Sequence, residues 1–220
     1  MRPLAQPDAA VTAARLIVAA RCAAVPWRNR AGVTRELDAG PGEGGGFDWR
    51  LSLADIDHDG PFSALPGVDR VFALFEGDVE LHFDERVCTA TDADAEPLCF
   101  PGEAAPRAVL RGGPTRALNL MLARGRCAGA MRRLVLAAGE APGAAWPGGP
   151  GPTPPGAVPL VSHLVVVEGR LDTDGLTARR GEALAFEGVL PDRVRASAPS
   201  AVLQTLVLRL LRPTDPEIPR

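Results

Sequence analysis

Four arginines, Arg28, Arg35, Arg50 and Arg70, stand in the first third of the chain among residues suited to holding a small anion. A guanidinium pairs with a carboxylate through two parallel, charge-assisted hydrogen bonds. Asn29, Thr34, Ser52 and Asn119 add neutral donors and acceptors, and Trp27 and Trp49 offer apolar walls. Apolar walls with a few placed polar groups are what small-ligand pockets are made of. Glu36 and Asp48 complete the set and, with His82, are the groups that would move a proton if the bound compound were turned over. The same residues also have a plainer reading. Arg35 beside Glu36 and Arg70 beside Asp69 read as solvated ion pairs worth under about 1 kcal/mol, and Trp49, in phase with Phe47 and Leu51, reads as core.

Other chemistries find less support. His58, His82 and His163 are remote from one another, no H-x-H occurs, and Cys22, Cys88, Cys99 and Cys127 form no C-x-x-C, so no metal and no cofactor are expected. No Ser-His-Asp or Cys-His arrangement and no G-x-S-x-G is readable, which leaves covalent catalysis unsupported. The glycines of "GPGEGGG", residues 40–46, read as a turn before a strand rather than as a phosphate cradle.

The elements that would position these side chains are strands. "FDWRLSLADI" from Phe47 alternates, with Phe47, Trp49, Leu51 and Leu53 on one face and Asp48, Arg50, Ser52 and Ala54 on the other. "RVFALFEGDVELHF" reads as a hairpin turning at Glu76-Gly77-Asp78, and "ALNLML", "LVSHLVVV" and "AVLQTLVLRL" are further runs of strand length. The best candidate helix is "GAMRRLVLAA". An internal repeat links the two ends of the chain. "LFEGDVEL" at 74–81 resembles "VVEGRLDT" at 166–173, "EPLCFPG" at 96–102 matches "EALAFEG" at 182–188, and Asn119 and Gln204 follow at similar offsets. Between the copies, residues 139–159 are rich in Pro and Gly and read as a linker, with Trp146 pinning it to a surface. The expected fold is all-β: two jelly-roll barrels packed together, a bicupin. The first cupin covers residues 15–138 and the second half 160–212, with a disordered extension at 1–14 and a tail at 213–220.

"PWRNRAGVTREL" followed by "FDWRLSLADIDHDGPFSALPGVDRVFALFEG" resembles the HutD/Ves family, in which a Pro-Trp-Lys-Asn-Gly-Gly-Gly-x-Thr-Arg-Glu type segment precedes a Phe-x-Trp-Arg-x-Ser strand. The likeness runs roughly from Leu16 to Arg124. It implies a bicupin associated with histidine utilisation that binds a pathway intermediate and restrains the pathway rather than catalysing a step. Arg28 stands where Lys is usual, and Arg30 and Ala31 replace the first two glycines, which loses the freedom to adopt positive φ at no cost. Residues 26–36 are therefore expected to line a barrel mouth. The expected ligand is a small carboxylate such as urocanate or formyl- or formiminoglutamate, held in a regulatory or buffering role. The alternative is a metal-independent cupin enzyme of isomerase or hydrolase type, using Glu36, Asp48 or His82.

Composition sets the outer bounds. The chain has 220 residues, 24 basic and 27 acidic groups and a formal charge of −3, without the basic block that would attract nucleic acid or an anionic membrane. Arg15 and Arg21 interrupt the apolar run "LIVAA", and no apolar stretch approaches the roughly 20 residues of a membrane span. A cytoplasmic protein is expected. Its oligomeric state is open, a homodimer included.

Overall fold

The computed structural model describes residues 13–27, 29–84, 86–91, 95–143 and 156–211. In chain order the strands are β1 (Arg15–Val18), β2 (Ala24–Pro26), β3 (Gly32–Pro41), β4 (Phe47–Ile56), β5 (Gly60–Pro61), β6 (Val68–Glu76), β7 (Asp78–Phe83), β8 (Arg86–Thr91), β9 (Leu98–Pro101), β10 (Arg107–Leu110), β11 (Thr115–Ala123), β12 (Cys127–Leu136), β13 (Val158–Glu168), β14 (Arg170–Thr173), β15 (Leu176–Arg179), β16 (Glu182–Glu187), β17 (Arg195–Ala196) and β18 (Ser200–Arg209). No α-helix occurs among the described residues, and so none long and apolar enough to cross a membrane. Most of the expected extension at 1–14, the tail and Trp146 lie outside the described residues, although Ala14 is seen packing against an apolar cluster.

The strands form four antiparallel sheets, in the orders β2-β3-β4-β11-β6-β9, β5-β10-β7-β8, β1-β16-β13-β18-β12 and β15-β14-β17. Three apolar clusters show how the sheets stack. The central one joins the two large sheets through Leu51, Leu53, Phe75 and Leu120 on one side and Val161, Val165, Leu203 and Val207 on the other. A second cluster, with Phe72, Leu74, Leu81 and Phe100, fills the space between the six-stranded sheet and the four-stranded one. A third, with Leu164, Leu171, Ala178 and Val202, lies between the five-stranded sheet and the three-stranded one. Both large sheets are thus covered on both faces, which is why β11, β13 and β18 carry apolar side chains at successive positions rather than only at alternate ones. Strand pairing closes neither half into a continuous barrel among the described residues.

The repeat is visible in the register. Phe72 of β6 faces Leu98 of β9 on one side and Asn119 of β11 on the other. In the second copy, Leu164 of β13 faces Leu184 of β16 and Gln204 of β18 in the same way. The two E-G turns also correspond. Gly77 has φ 91°, and a Cβ there would stand 2.6 Å from Thr115 Oγ1 at the head of β11. Gly169 has φ 81°, and its Cβ would stand 2.4 Å from Ser200 Oγ at the head of β18. Each turn needs glycine for the same two reasons, the left-handed backbone and the close approach.

The candidate helix "GAMRRLVLAA" is corrected: it is mostly β12, paired with β18 without interruption from Cys127↔Arg209 to Leu136↔Ser200. Its side chains alternate, with Cys127 and Met131 in the central cluster and Leu134 and Leu136 at the outer one. Pairing with a long neighbouring strand overrides the weak helical preference of so short a segment. β13 likewise begins at Val158, inside the stretch read as linker, because Val158 pairs with Arg209. Both β1 and β12 precede the Pro/Gly-rich segment, yet they form the two edges of the five-stranded sheet, whose central strands follow it.

Candidate functional site

A cavity of about 410 Å³ opens on the face of the six-stranded sheet that looks away from the central cluster. Alternation along β4 builds its floor. Trp49, Leu51 and Leu53 enter the central cluster, so Arg50, Ser52 and Ala54 point into the cavity. Register then adds neighbours from β11, since Asn119 faces Ser52 and Met121 faces Arg50. Arg70 of β6 faces Met121 from the other side. Trp27, Asn29, Thr34 and the segment Pro61, Phe62, Ser63 and Leu65 complete the wall.

The two cavity arginines carry the electrostatics. Arg70 is only 5% exposed, donates to Asn119 Oδ1 at 2.7 Å, and lies 4.8 Å from the Phe62 ring and 5.1 Å from the Phe100 ring. Burial, reinforced by the nearby Arg50 charge, pushes its guanidinium down to about 10. Arg50 donates to Met121 Sδ at 3.0 Å, with its guanidinium 4.7 Å from the Phe47 ring. Both Nε atoms are buried without a hydrogen-bond acceptor, and neither arginine has a carboxylate partner among the described residues. A buried cation with no counter-ion is costly in a folded protein.

The loop before β3 is held by its own polar groups. Trp27 Nε1 donates to Thr34 Oγ1 at 2.7 Å, and the indole stands edge-on to Phe62 at 6.0 Å. Asn29 Oδ1 accepts from the Ala31 amide at 3.1 Å, and its Nδ2 donates to the Pro61 carbonyl at 3.3 Å. Arg30 takes φ 58°, so the left-handed conformation that favours glycine persists although an arginine occupies it.

Of the residues singled out from sequence, Trp27, Asn29, Thr34, Arg50, Ser52, Arg70 and Asn119 come together around the cavity. Four do not. Arg35 is paired with Asp55, which also accepts from Arg116 at 2.5 Å, so its charge is engaged away from the cavity. Glu36 is exposed and does not line the site. Asp48 pairs with Arg126 at 2.6 Å. Trp49 is core, its ring tilted against His163 at 5.7 Å between centroids. Arg28 lies outside the described residues. His82 also stands apart, bonded to Glu80 at 2.8 Å, with Glu80 held at about 2 by Arg111 and then by His82. The plainer ion-pair reading fails for Arg70, because Asp69 is taken by Arg124 at 2.7 Å.

Ala54, Met121, Phe62, Ser63 and Leu65 line the cavity without having been singled out. Period-two extension from Ser52 and Asn119 would have found Ala54 and Met121; nothing local marks the Phe62 segment. No group of three or more His, Cys, Asp or Glu side chains suited to a metal ion occurs among the described residues, where the four cysteines are free. The lining itself contains no Asp, Glu, His or Cys.

Protein Ves from Citrobacter koseri is 38% identical over 107 residues, 48% of this chain and 56% of that protein. An uncharacterised 21.2 kDa protein in the hutC 3' region of Pseudomonas putida is 39% identical over 104 residues, 45% and 53% of the two chains. The chain thus spans about half the length of the curated relatives it matches. Among solved structures, a conserved protein of unknown function from Pseudomonas aeruginosa PAO1 superposes with a TM-score of 0.71 at 23% identity, covering 89% of this chain and 98% of that one. HutD from Pseudomonas fluorescens SBW25 superposes with a TM-score of 0.65 at 21% identity, covering 90% and 97%. These likenesses carry the fold. The HutD family model matches residues 19–145, more than half of the sequence, and the chain belongs to the HutD family.

Proposed function

We propose that this protein binds a small carboxylated metabolite in the cavity between its six- and four-stranded sheets, in a regulatory or buffering role and without a metal. The observation that carries this reading is the pair Arg50 and Arg70: two cations inside one cavity, each with a buried Nε lacking an acceptor and neither with a carboxylate partner among the described residues. A carboxylate from solution supplies the missing acceptors and the missing charge at once. Asn119, Ser52 and Thr34 then orient the ligand while Trp27 and Phe62 cover its apolar part. The relatives named HutD or placed beside hutC turn the search toward histidine-degradation acids such as urocanate, formylglutamate and formiminoglutamate. In this reading the halves at 15–138 and 160–212 are two cupin units of a bicupin, the first of which holds the ligand.

Binding is favoured over turnover because none of the lining side chains titrates near neutral pH, and Glu36, Asp48 and His82 all stand outside the cavity. Calorimetry with the three acids, followed by chromatography of each after long incubation, tests both halves of the statement. Arg50→Ala should weaken binding about 10- to 150-fold, the loss of one charge-assisted hydrogen bond of roughly 1.5–3 kcal/mol. Arg50→Lys should restore only part of it, since a point charge lacks the guanidinium fork. Unchanged affinity in Arg50→Ala would refute the assignment, and conversion of a bound acid would move the protein to the enzyme class.

A further inference from the structure

A fully buried histidine outside the cavity lies against the central cluster. His163 of β13 is 0% exposed and is bonded on both ring nitrogens. Its Nδ1 is 2.9 Å from Thr205 Oγ1 on the neighbouring β18, and its Nε2 is 2.9 Å from Asp38 Oδ2 on β3 of the facing sheet. Asp38 Oδ2 also accepts from Arg15 of β1, while Asp38 Oδ1 accepts from the Ala39 amide. Trp49 of β4 leans on the imidazole, Ala185 of β16 pairs beside it, and Val161, Val165, Leu203 and Val207 belong to the same apolar cluster. The charged groups acting on the ring are therefore Asp38 and Arg15. The order Thr205, His163, Asp38 has the connectivity of a catalytic triad, but Thr205 is 0% exposed, which leaves its hydroxyl out of a substrate's reach.

We propose that Asp38 and His163 form an acid-sensitive latch between the two large sheets, closed by a neutral imidazole and loosened when His163 is protonated. In the closed state Nε2–H donates to the Asp38 carboxylate and Nδ1 accepts from the Thr205 hydroxyl, so every polar atom of the ring is satisfied. A proton added at Nδ1 turns that acceptor into a donor. The Thr205 hydroxyl must then turn so that its oxygen accepts and its hydrogen points away from the ring, while the ring itself becomes a cation at a position with no exposure to water. Burial pushes the His163 imidazole down against the pull of Asp38, with Arg15 adding to the fall. Burial would raise Asp38, but His163 and Arg15 together outweigh it and hold the carboxyl below its usual range.

The sign follows. Because the folded imidazole is more acidic than the unfolded one, the unfolded chain binds the extra proton first as pH falls below 6.5, and stability falls with it. The Asp38 contribution is lost only in a lower window, below 3.8. Measurements between pH 7.5 and 5 therefore isolate the histidine.

The test uses the full chain with His58 and His82 replaced by Gln, so that one imidazole remains. Its proton NMR signals should titrate below 6.5. The folding equilibrium constant from urea unfolding should decline from pH 6.5 downward by up to about tenfold per pH unit, the limit for one proton. Trp49 emission, followed with Trp27 and Trp146 changed to Phe, should shift with the same midpoint. His163→Gln, whose amide can donate to Asp38 and accept from Thr205 without titrating, should remove the decline between pH 6.5 and 5. A His163 titration at or above 6.5, or the same decline in His163→Gln, would overturn the proposal. The NMR titration needs no variant at position 163 and decides the matter even if His163→Gln fails to fold.

Discussion

Replacing Arg70 and Asn119 together by Met and Leu asks whether the cavity holds charge at the expense of stability. In the native protein Arg70 is nearly dry, donates to Asn119 Oδ1 and has no carboxylate partner among the described residues. Its guanidinium is brought down to about 10, first by burial and then by Arg50. At about 1.4 kcal/mol per pH unit, that fall from the ordinary arginine value corresponds to roughly 3 kcal/mol. Since the depressed value belongs to a base, the folded state carries this cost at every pH below about 10, neutral pH included. Against it stand two ring contacts of about 0.5–1 kcal/mol each and the bond to Asn119. Losing that bond is harmless only if its acceptor is removed as well. Arg70→Met/Asn119→Leu should therefore unfold in urea at pH 7 with a free energy higher by about 1–2 kcal/mol, in line with apolar replacement of other buried ionic groups. Arg70→Met alone should fall below the double variant by about 1–3 kcal/mol, the cost of an orphaned acceptor. Calorimetry should show carboxylate binding lost in both. A double variant no more stable than the native protein, or one that still binds, would refute the reasoning.

The E-G turn gives a second test. Gly77→Ala should destabilise by more than about 2 kcal/mol, because its Cβ would stand 2.6 Å from Thr115 Oγ1 and 3.0 Å from Thr115 Cα at φ 91°; chemical denaturation reads it, and a loss under about 1 kcal/mol would mean the turn relaxes freely. Arg30→Gly should raise stability by up to about 1 kcal/mol, since the left-handed φ of 58° costs an arginine more than glycine's extra unfolded-state entropy. An unfolding midpoint that drops in Arg30→Gly would show that the arginine side chain, not the backbone, holds this loop.

Half of the cavity is legible in the sequence. Period two along Phe47–Ile56 puts Arg50 and Ser52 on one face and Trp49 and Leu51 on the other, and that separation holds. Alternation does not say that a cavity stands over the Arg50 and Ser52 face, because β4 is covered on both sides and what covers each face comes from other parts of the chain. The same limit explains Arg35. One strand away from the cavity residues, it looks equally suited to an anion, yet Asp55, 20 residues on in sequence, claims it once β3 and β4 are paired. The apparent helix at 129–138 fails for a related reason: its strand conformation is set by β18, about 70 residues downstream, and not by its own composition.

The sequence by itself determined that this chain would be built of strands, that Leu98 and Asn119 would correspond in position to Leu184 and Gln204, and that glycines at 77 and 169 would turn equivalent hairpins. Those features rest on side-chain period and backbone freedom, which are properties of neighbouring residues. Tertiary structure alone decided that Arg50 and Arg70 would share one cavity without an acid, that Trp49 would be core while Trp27 is wall, and that His163 would meet an aspartate 125 residues away. Each of these depends on which sheet faces which. Burying apolar surface from both halves of the chain against one central layer selects that arrangement, and no local pattern encodes it.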